Sequence, residues 1–337
     1  MTTLLRPHRP HRGVSRRLAC LAWLGLFLLA SCQTSSLPAI DYRAEMRAFV
    51  VKIAETARAS QAAFIVIPQN GLELLSAATA PAAVAAYLAA IDGVAREDLH
   101  FGYPGDGDAT AATITADWLG QIDQAQAAGL VPLAIDYVTS NAQADAALSA
   151  AAAEGVIGFA TFRRALDDLP EWPVSPPGNN PDDMASLGQI RNFGYLINPG
   201  NFADKAAYLA ELADSRYDLL VIDLFGVDGN ALSAAEVEAL QRKPQGGRRL
   251  VIAYLSIGEA EEYRWYWRPD WDKLPPGWLE RENPAWAGNY KVHYWEPAWQ
   301  SIICGGEGSY LDRIIDAGFD GVYLDIIDAF EYFEGST

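Results

Sequence analysis

Histidine and cysteine are scarce in this chain of 337 residues, numbering four and three. His8 and His11 fall in a leader-like start, which leaves His100 and His293 to the body of the chain. Of Cys20, Cys32 and Cys304, only Cys304 remains there as a thiol, so an intramolecular disulfide is excluded and a Cys/His zinc set is not expected. Glycine-rich phosphate loops are missing after every strand-like run, and so is the dinucleotide fingerprint. No cofactor is therefore expected. Positive charge is the minority sign, 25 Lys and Arg against 43 Asp and Glu, for a formal charge of −18. Such a protein repels nucleic acid and anionic polymers and attracts cationic ones.

The first residues differ from the rest. Five arginines and no acid occupy residues 1–31, and an apolar run from 18 to 30 closes on Leu29-Ala30-Ser31-Cys32. The run is shorter than the roughly 20 residues of a membrane span and reads as a secretory signal. Its last four residues resemble a bacterial lipobox, in which Cys32 carries the lipid and becomes the first mature residue. The small residues before Cys32 and the polar Gln33-Thr34-Ser35-Ser36 after it favour that reading over an ordinary signal cut near Ser31 or an uncleaved anchor. Residues 1–31 are thus expected as a signal peptide and 32–40 as a tether. The protein is expected in the cell envelope, held to a membrane by lipid on Cys32, on the periplasmic or extracellular face. Loss of five arginines takes the formal charge from −18 to −23.

Downstream, apolar β-favouring runs alternate with alanine-rich helical stretches. FIVIPQN (64–70), IDGVAREDLHF (91–101), LVPLAIDYV (130–138), GVIGFAT (155–161) and FGYLIN (193–198) are the first five runs. YDLLVID (217–223), RRLVIAYLSIG (248–258), YKVHYWE (290–296) and GVYLDII (321–327) complete nine. An α/β fold is expected, with eight runs in one parallel (β/α)8 barrel and one extra short strand. Two separate half-sized sheets would expose long edges. Residues 171–190, rich in Pro, Gly and Asn, read as a linker between an N-terminal barrel segment (41–170) and a C-terminal barrel segment (191–337).

Nearly every run ends in an oxygen-bearing side chain: Gln69 with Asn70, Glu97 with Asp98, Asp136, Asp223, Ser256 with Glu259, Glu296 and Asp325. In barrels of this kind chemistry sits at the carboxyl ends of strands, which makes Asp325 the first catalytic candidate. The alternative is a carboxylate capping the next helix. A ring of carboxylates and amides without histidine suits glycoside hydrolysis, which needs two carboxyl groups, one protonated and one ionised. Asp223, Tyr254, Glu259, Asn70, Asp136, Asp328 and Trp295 are the candidates for substrate contacts. Seven of the ten tryptophans lie between Trp265 and Trp299, where flat rings can stack on sugars, although at least half are expected to pack helices instead. His293 is expected to be packed or hydrogen-bonded. A divalent ion on Asp325 and Asp328 has no diagnostic spacing to support it, and no metal is assigned.

Three stretches carry a specific likeness: VIAYLSIGEAEEYRWYW (251–267), YKVHYWEPAW (290–299) and GFDGVYLDIIDAFEYF (318–333). They resemble glycoside hydrolase family 114, the endo-α-1,4-polygalactosaminidase-like proteins, and FIVIPQNGLELL with AIDGVAREDLHFG is similar to the same branch. The likeness covers most of residues 41–169 and 191–333. It implies a (β/α)8 barrel and cleavage of a galactosamine-containing polysaccharide by two acids. One maps onto Asp325 and the other onto Glu97, with Asp98 as its rival. The order of the pieces departs from the family, where FGYLIN-like sequence comes first and the DAFEYF segment is followed by RAEMRAFV. Here RAEMRAFV begins at Arg43 and DAFEYF closes the chain, an order related to the family's by circular permutation through residues 171–190. On that reading residues 41 and 333 are neighbours. The function expected is that of an exported, lipid-anchored, monomeric glycoside hydrolase acting on an amino-sugar polysaccharide. The alternative is a non-catalytic polysaccharide-binding barrel lipoprotein.

Overall fold

The structure, a computed structural model, describes residues 40–335; the signal, the lipobox and Cys32 lie outside the described residues. Helix α1 (Tyr42–Ser60) is capped by Asp41, whose side chain accepts from the Ala44 amide at 2.9 Å. Its buried residues Met46, Phe49, Val50, Ile53 and Ala57 recur at helical spacing and form the core-facing stripe. There follow β1 (Ile65–Pro68), α2 (Pro81–Ala90), β2 (Gly93–Glu97), α3 (Ala112–Ala127), β3 (Val131–Tyr137), α4 (Asn141–Ala153) and β4 (Ile157–Thr161). The alternation resumes with β5 (Phe193–Leu196), α5 (Lys205–Asp214), β6 (Leu219–Ile222), α6 (Ala234–Leu240) and β7 (Leu250–Ser256). Three short strands, β8 (Glu259–Glu261), β9 (Leu279–Glu282) and β10 (Asn289–Val292), precede α7 (Pro297–Cys304) and α8 (Tyr310–Asp316). Strand β11 (Gly321–Asp325) and helix α9 (Phe330–Gly335) come last.

Two parallel sheets result, one in the order β1-β11-β7-β6-β5 and the other β2-β3-β4. Covered on both faces, their strands are continuous apolar runs such as LLVI in β6 and LVIAYLS in β7. The two sheets meet where the Asn70 amide donates to the Ala95 carbonyl at 2.8 Å and the Asp92 amide to the Val66 carbonyl at 2.9 Å. At the opposite edges the Phe159 and Phe193 rings lie 5.5 Å apart. Gly321 permits β11 to run close against β1, since a Cβ there would sit 2.2 Å from the Ile65 carbonyl oxygen. Asp325 is in register with Ser256, Leu324 with Pro68, and Glu97 with Ile135. The carboxyl ends of β1, β2, β7 and β11 therefore gather at one end.

The run YKVHYWE does not join the parallel strands. It supplies β10, the middle strand of a small antiparallel sheet ordered β8-β10-β9. The physical reason is visible in the side chains. The run alternates apolar with Lys, His and Glu, the pattern of a half-exposed antiparallel strand, whereas fully covered strands are apolar throughout.

Residues 171–190 are packed against the domain. Met184, Leu187 and Ile190 are buried, and Asn180 Nδ2 donates to Asp218 at 3.0 and 3.2 Å. Asp218 in turn takes Lys243 Nζ at 2.9 Å, with both side chains fully buried. Elsewhere, the first and last described helices touch. Arg43 forks onto Glu334 with two bonds of 2.9 Å, and the Tyr42 and Phe333 rings stack at 5.4 Å.

Candidate active site

Glu97 ends β2 and Asp325 ends β11, and a residue following β1 joins them. Gln69 Nε2 donates to Glu97 Oε2 at 2.9 Å and to Asp325 Oδ1 at 3.0 Å. Laid end to end, those bonds put the two carboxylate oxygens about 6 Å apart at most, within the span of two-carboxylate glycoside hydrolysis. The Tyr195 hydroxyl donates to Gln69 Oε1 at 3.3 Å, which orients the bridging amide.

Each acid has further donors. Glu97 receives the Tyr137 hydroxyl at 2.5 Å and the Asn70 side-chain amide at 3.0 Å. Asp325 receives the Tyr254 hydroxyl at 2.7 Å and the Ile326 backbone N–H at 2.8 Å. Burial and the neighbouring Glu97 charge push Asp325 up to about 8, against the pull of the Tyr254 hydrogen bond. Burial, with Glu331 and Glu97 nearby, pushes Asp328 up to about 7. Close to neutral pH the Asp325 carboxyl therefore holds its proton and can serve as an acid.

The backbone around the pair is strained. Four non-glycine residues among those described have positive φ: Asn70 (60°), Asp98 (59°), Leu166 (49°) and Ile326 (57°). Asn70, Leu166 and Ile326 line the cleft, and Asp98 directly follows Glu97. A β-branched residue such as Ile326 adopts this region only where its surroundings hold it. Here that conformation turns its N–H back onto the Asp325 carboxylate. Gly258 lets the neighbouring loop approach, since a Cβ there would lie 2.1 Å from the Ile326 carbonyl oxygen.

The cleft over the pair has a volume of about 470 Å³. Asn70, Asp223, Tyr254, Glu259 and Asp328, all expected from the strand ends, line it. Asp223 is held by Arg264 through bonds of 2.9 and 2.7 Å, and Arg264 Nε also reaches Glu261 at 2.5 Å. Glu259 is fully buried and meets Lys291 Nζ at 2.5 Å and Asn283 Nδ2 at 2.8 Å. Asp98 turns away, to Arg164 at 2.8 Å, leaving Glu97 as the partner of Asp325.

Two expected residues lie elsewhere. Asp136 is buried off the cleft, accepting from the His100 and Phe101 amides at 2.7 and 2.8 Å, while His100 Nε2 meets Glu154 at 2.9 Å. Successive strand residues face opposite ways, so Tyr137 points to Glu97 and Asp136 points outward. Trp295 is in an aromatic pack, stacked on His293 at 4.9 Å and set against Phe333 at 4.8 Å. The tryptophans exposed beside the cleft are Trp286 and Trp265. Gln69 is one of the strand-end residues, whereas Tyr137, Tyr195 and Arg264 are site residues that the strand-end pattern does not single out. Period-two alternation from Glu97 and Ile135 would find Tyr137.

Residues 192–337 match the family model of glycoside-hydrolase family GH114. This C-terminal part of the chain is GH114-like. The match takes in Asp325, Tyr254, Tyr195, Asp223 and Glu259, and leaves Glu97, Gln69, Asn70 and Tyr137 outside it. An uncharacterized protein of Methanocaldococcus jannaschii is 42% identical over 165 residues, 46% of either chain. One of Deinococcus radiodurans is 42% identical over 160 residues, 47% of either chain, and one of Thermotoga maritima 43% over 122 residues, 36% of either. The chain thus spans about half the length of these curated relatives, or less. The family matched by residues 192–337 is one of glycoside hydrolases.

Proposed function

We propose that this protein cleaves glycosidic bonds in a galactosamine-containing polysaccharide, with Asp325 and Glu97 as its two acids. The observation that carries the reading is the single amide nitrogen bonded to both carboxylates. The protonated member of the pair gives its proton to the glycosidic oxygen as the bond to the leaving sugar breaks. The ionised member attacks the anomeric carbon, and water later releases the sugar while the first member takes the proton back. A separation this short favours direct attack over an intervening water. The formal charge of −18 favours a polymer bearing ammonium groups.

The architecture behind this reading is one eight-stranded (β/α)8 barrel, of which the two parallel sheets are arcs, with the family order recut. It is supported by the β1–β2 hydrogen bonds, the Phe159–Phe193 contact, the packing of α9 on α1, and a family match that begins only at residue 192. Export and a lipid on Cys32 complete the reading, as a monomer anchored in the cell envelope. Metabolic labelling with palmitate, lost in Cys32→Ser, tests the anchor.

The deciding experiment incubates the protein with galactosamine-rich exopolysaccharide and counts new reducing ends. Release is expected from the wild type and not from Asp325→Asn or Glu97→Gln. Saturable binding of the polymer without new ends would reject hydrolysis in favour of a polysaccharide-binding role.

A further inference from the structure

We infer that a second pocket beside the catalytic cleft is a subsite for further sugar units of the same polymer, with the Trp265 indole as its stacking surface. This rests on the hydrolase reading. The pocket has a volume of about 680 Å³, within the range of small-molecule sites. Its wall is not independent of the cleft: Ile197, Asn198, Asp223, Tyr263 and Arg264 line both. A chain held over Glu97 and Asp325 therefore enters the second pocket by crossing Tyr263 and Arg264, without passing through bulk solvent.

The lining matches a pyranose, which has an apolar face and a rim of hydroxyls. Trp265 is 42% exposed, and one face of its ring is covered by the Arg313 guanidinium at 3.9 Å from the centroid. Tyr266 meets it edge-on at 5.8 Å. Arg313 does not line the pocket, so the indole is held from behind and its other face is left for a ligand. Polar groups surround that face. The Asn198 and Asn201 amides donate to the Ala165 carbonyl and the Asp167 carboxylate, which leaves both side-chain oxygens without a partner among the described residues. Those oxygens suit hydroxyl or ammonium donors. Asp223 cannot turn into the pocket to compete, because Arg264 holds it by a two-bond fork. An aromatic floor with a rim of acceptors selects a polyhydroxylated ring over a purely apolar ligand, and the carboxylates of Asp167 and Asp223 disfavour an anionic one.

The test separates binding from cleavage. Asp325→Asn protein is titrated with galactosamine oligosaccharides from dimer to octamer, beside a reducing-end assay of the wild type. Affinity is expected to rise with length. In the Asp325→Asn/Trp265→Ala protein the octamer should lose roughly tenfold, flattening that rise. Trp265→Phe should recover most of it, which separates a lost stacking surface from a damaged fold. The same length dependence with and without Trp265, alongside new reducing ends from the wild type, overturns the subsite alone. No binding at any length and no new reducing ends overturn the hydrolase reading and the subsite with it.

Discussion

Glu97 and Asp325 accept hydrogen bonds from one and the same nitrogen, Nε2 of Gln69, at 2.9 and 3.0 Å. A neutral amide in that position offsets some of the repulsion between two close carboxylates and has no proton to lose in the working pH range. Tyr195 fixes which way the amide points. The geometry of the pair thus depends on a residue that carries no charge.

Replacing that bridge by Gln69→Leu should change the pH dependence as well as the rate. Hydrogen bonds to an ionised carboxylate lower its pKa, so their loss leaves burial and the Glu97 charge less opposed. Asp325, already raised to about 8, then titrates higher still. Turnover is expected to fall on the order of 100-fold through misplacement of the pair, with the basic limb of the pH–rate profile moved upward. A slower enzyme with an unmoved basic limb would argue against the bridge.

Asp325→Asn should lower turnover by at least about 100-fold without costing stability. The Asp325 carboxyl is raised from 3.8 in the unfolded chain to about 8 in the fold. Between those values the native state binds the extra proton, so this group's contribution to stability is full below the lower value and declines as pH rises through the upper one. Asparagine removes that decline. The melting midpoint of the variant should equal or exceed the wild type's, with the difference growing from pH 4 to pH 8. A lower midpoint with turnover retained would identify Asp325 as a helix cap.

The short separation of the two acids predicts stereochemistry. The first product released from an α-linked substrate should be the α-anomer, read by proton NMR before mutarotation. A first-formed β-anomer would mean that a water is accommodated between the carboxylates.

Far from the cleft, Lys243→Ala should destabilise the fold by about 3–5 kcal/mol, because it leaves Asp218 buried without its counter-charge. Both side chains of that pair are fully buried. Denaturant melts would measure the loss, and the double replacement Lys243→Met/Asp218→Leu should recover much of it. Single and double variants with equal midpoints would mean the pair is not coupled.

Much of the site is legible in the sequence because parallel strands advertise themselves as apolar runs, and the residue that ends a run is easy to name. Asp325, Glu97, Asp223 and Asn70 stand out in this way. Which way a strand-end side chain faces depends on register, and a run of letters does not show it. Asp136 and Tyr137 are adjacent, but it is the tyrosine that points at Glu97. Trp295 belongs to a tryptophan-rich stretch in which composition does not separate a packed ring from an exposed one. Residues 171–190 read as a linker from their Pro, Gly and Asn content, yet Asn180 completes a buried ion pair that only the fold brings together. The left-handed backbone of Ile326 has no signature in a β-branched residue at all.

The antiparallel sheet β8-β10-β9 has a ladder of its own, separate from the parallel strands that carry the two acids. It nevertheless contributes Glu259, Glu261 and Asn289 to the wall of the cleft, with Trp286 in the turn between β9 and β10. Exchanging residues 279–292 for a relative's would therefore change the part of the cleft wall formed by Trp286 and Asn289 without touching the strands that hold the two acids. The strands that hold Glu97 and Asp325 and the sheet that walls the cleft beside them are separate ladders, on which drift can act at different speeds.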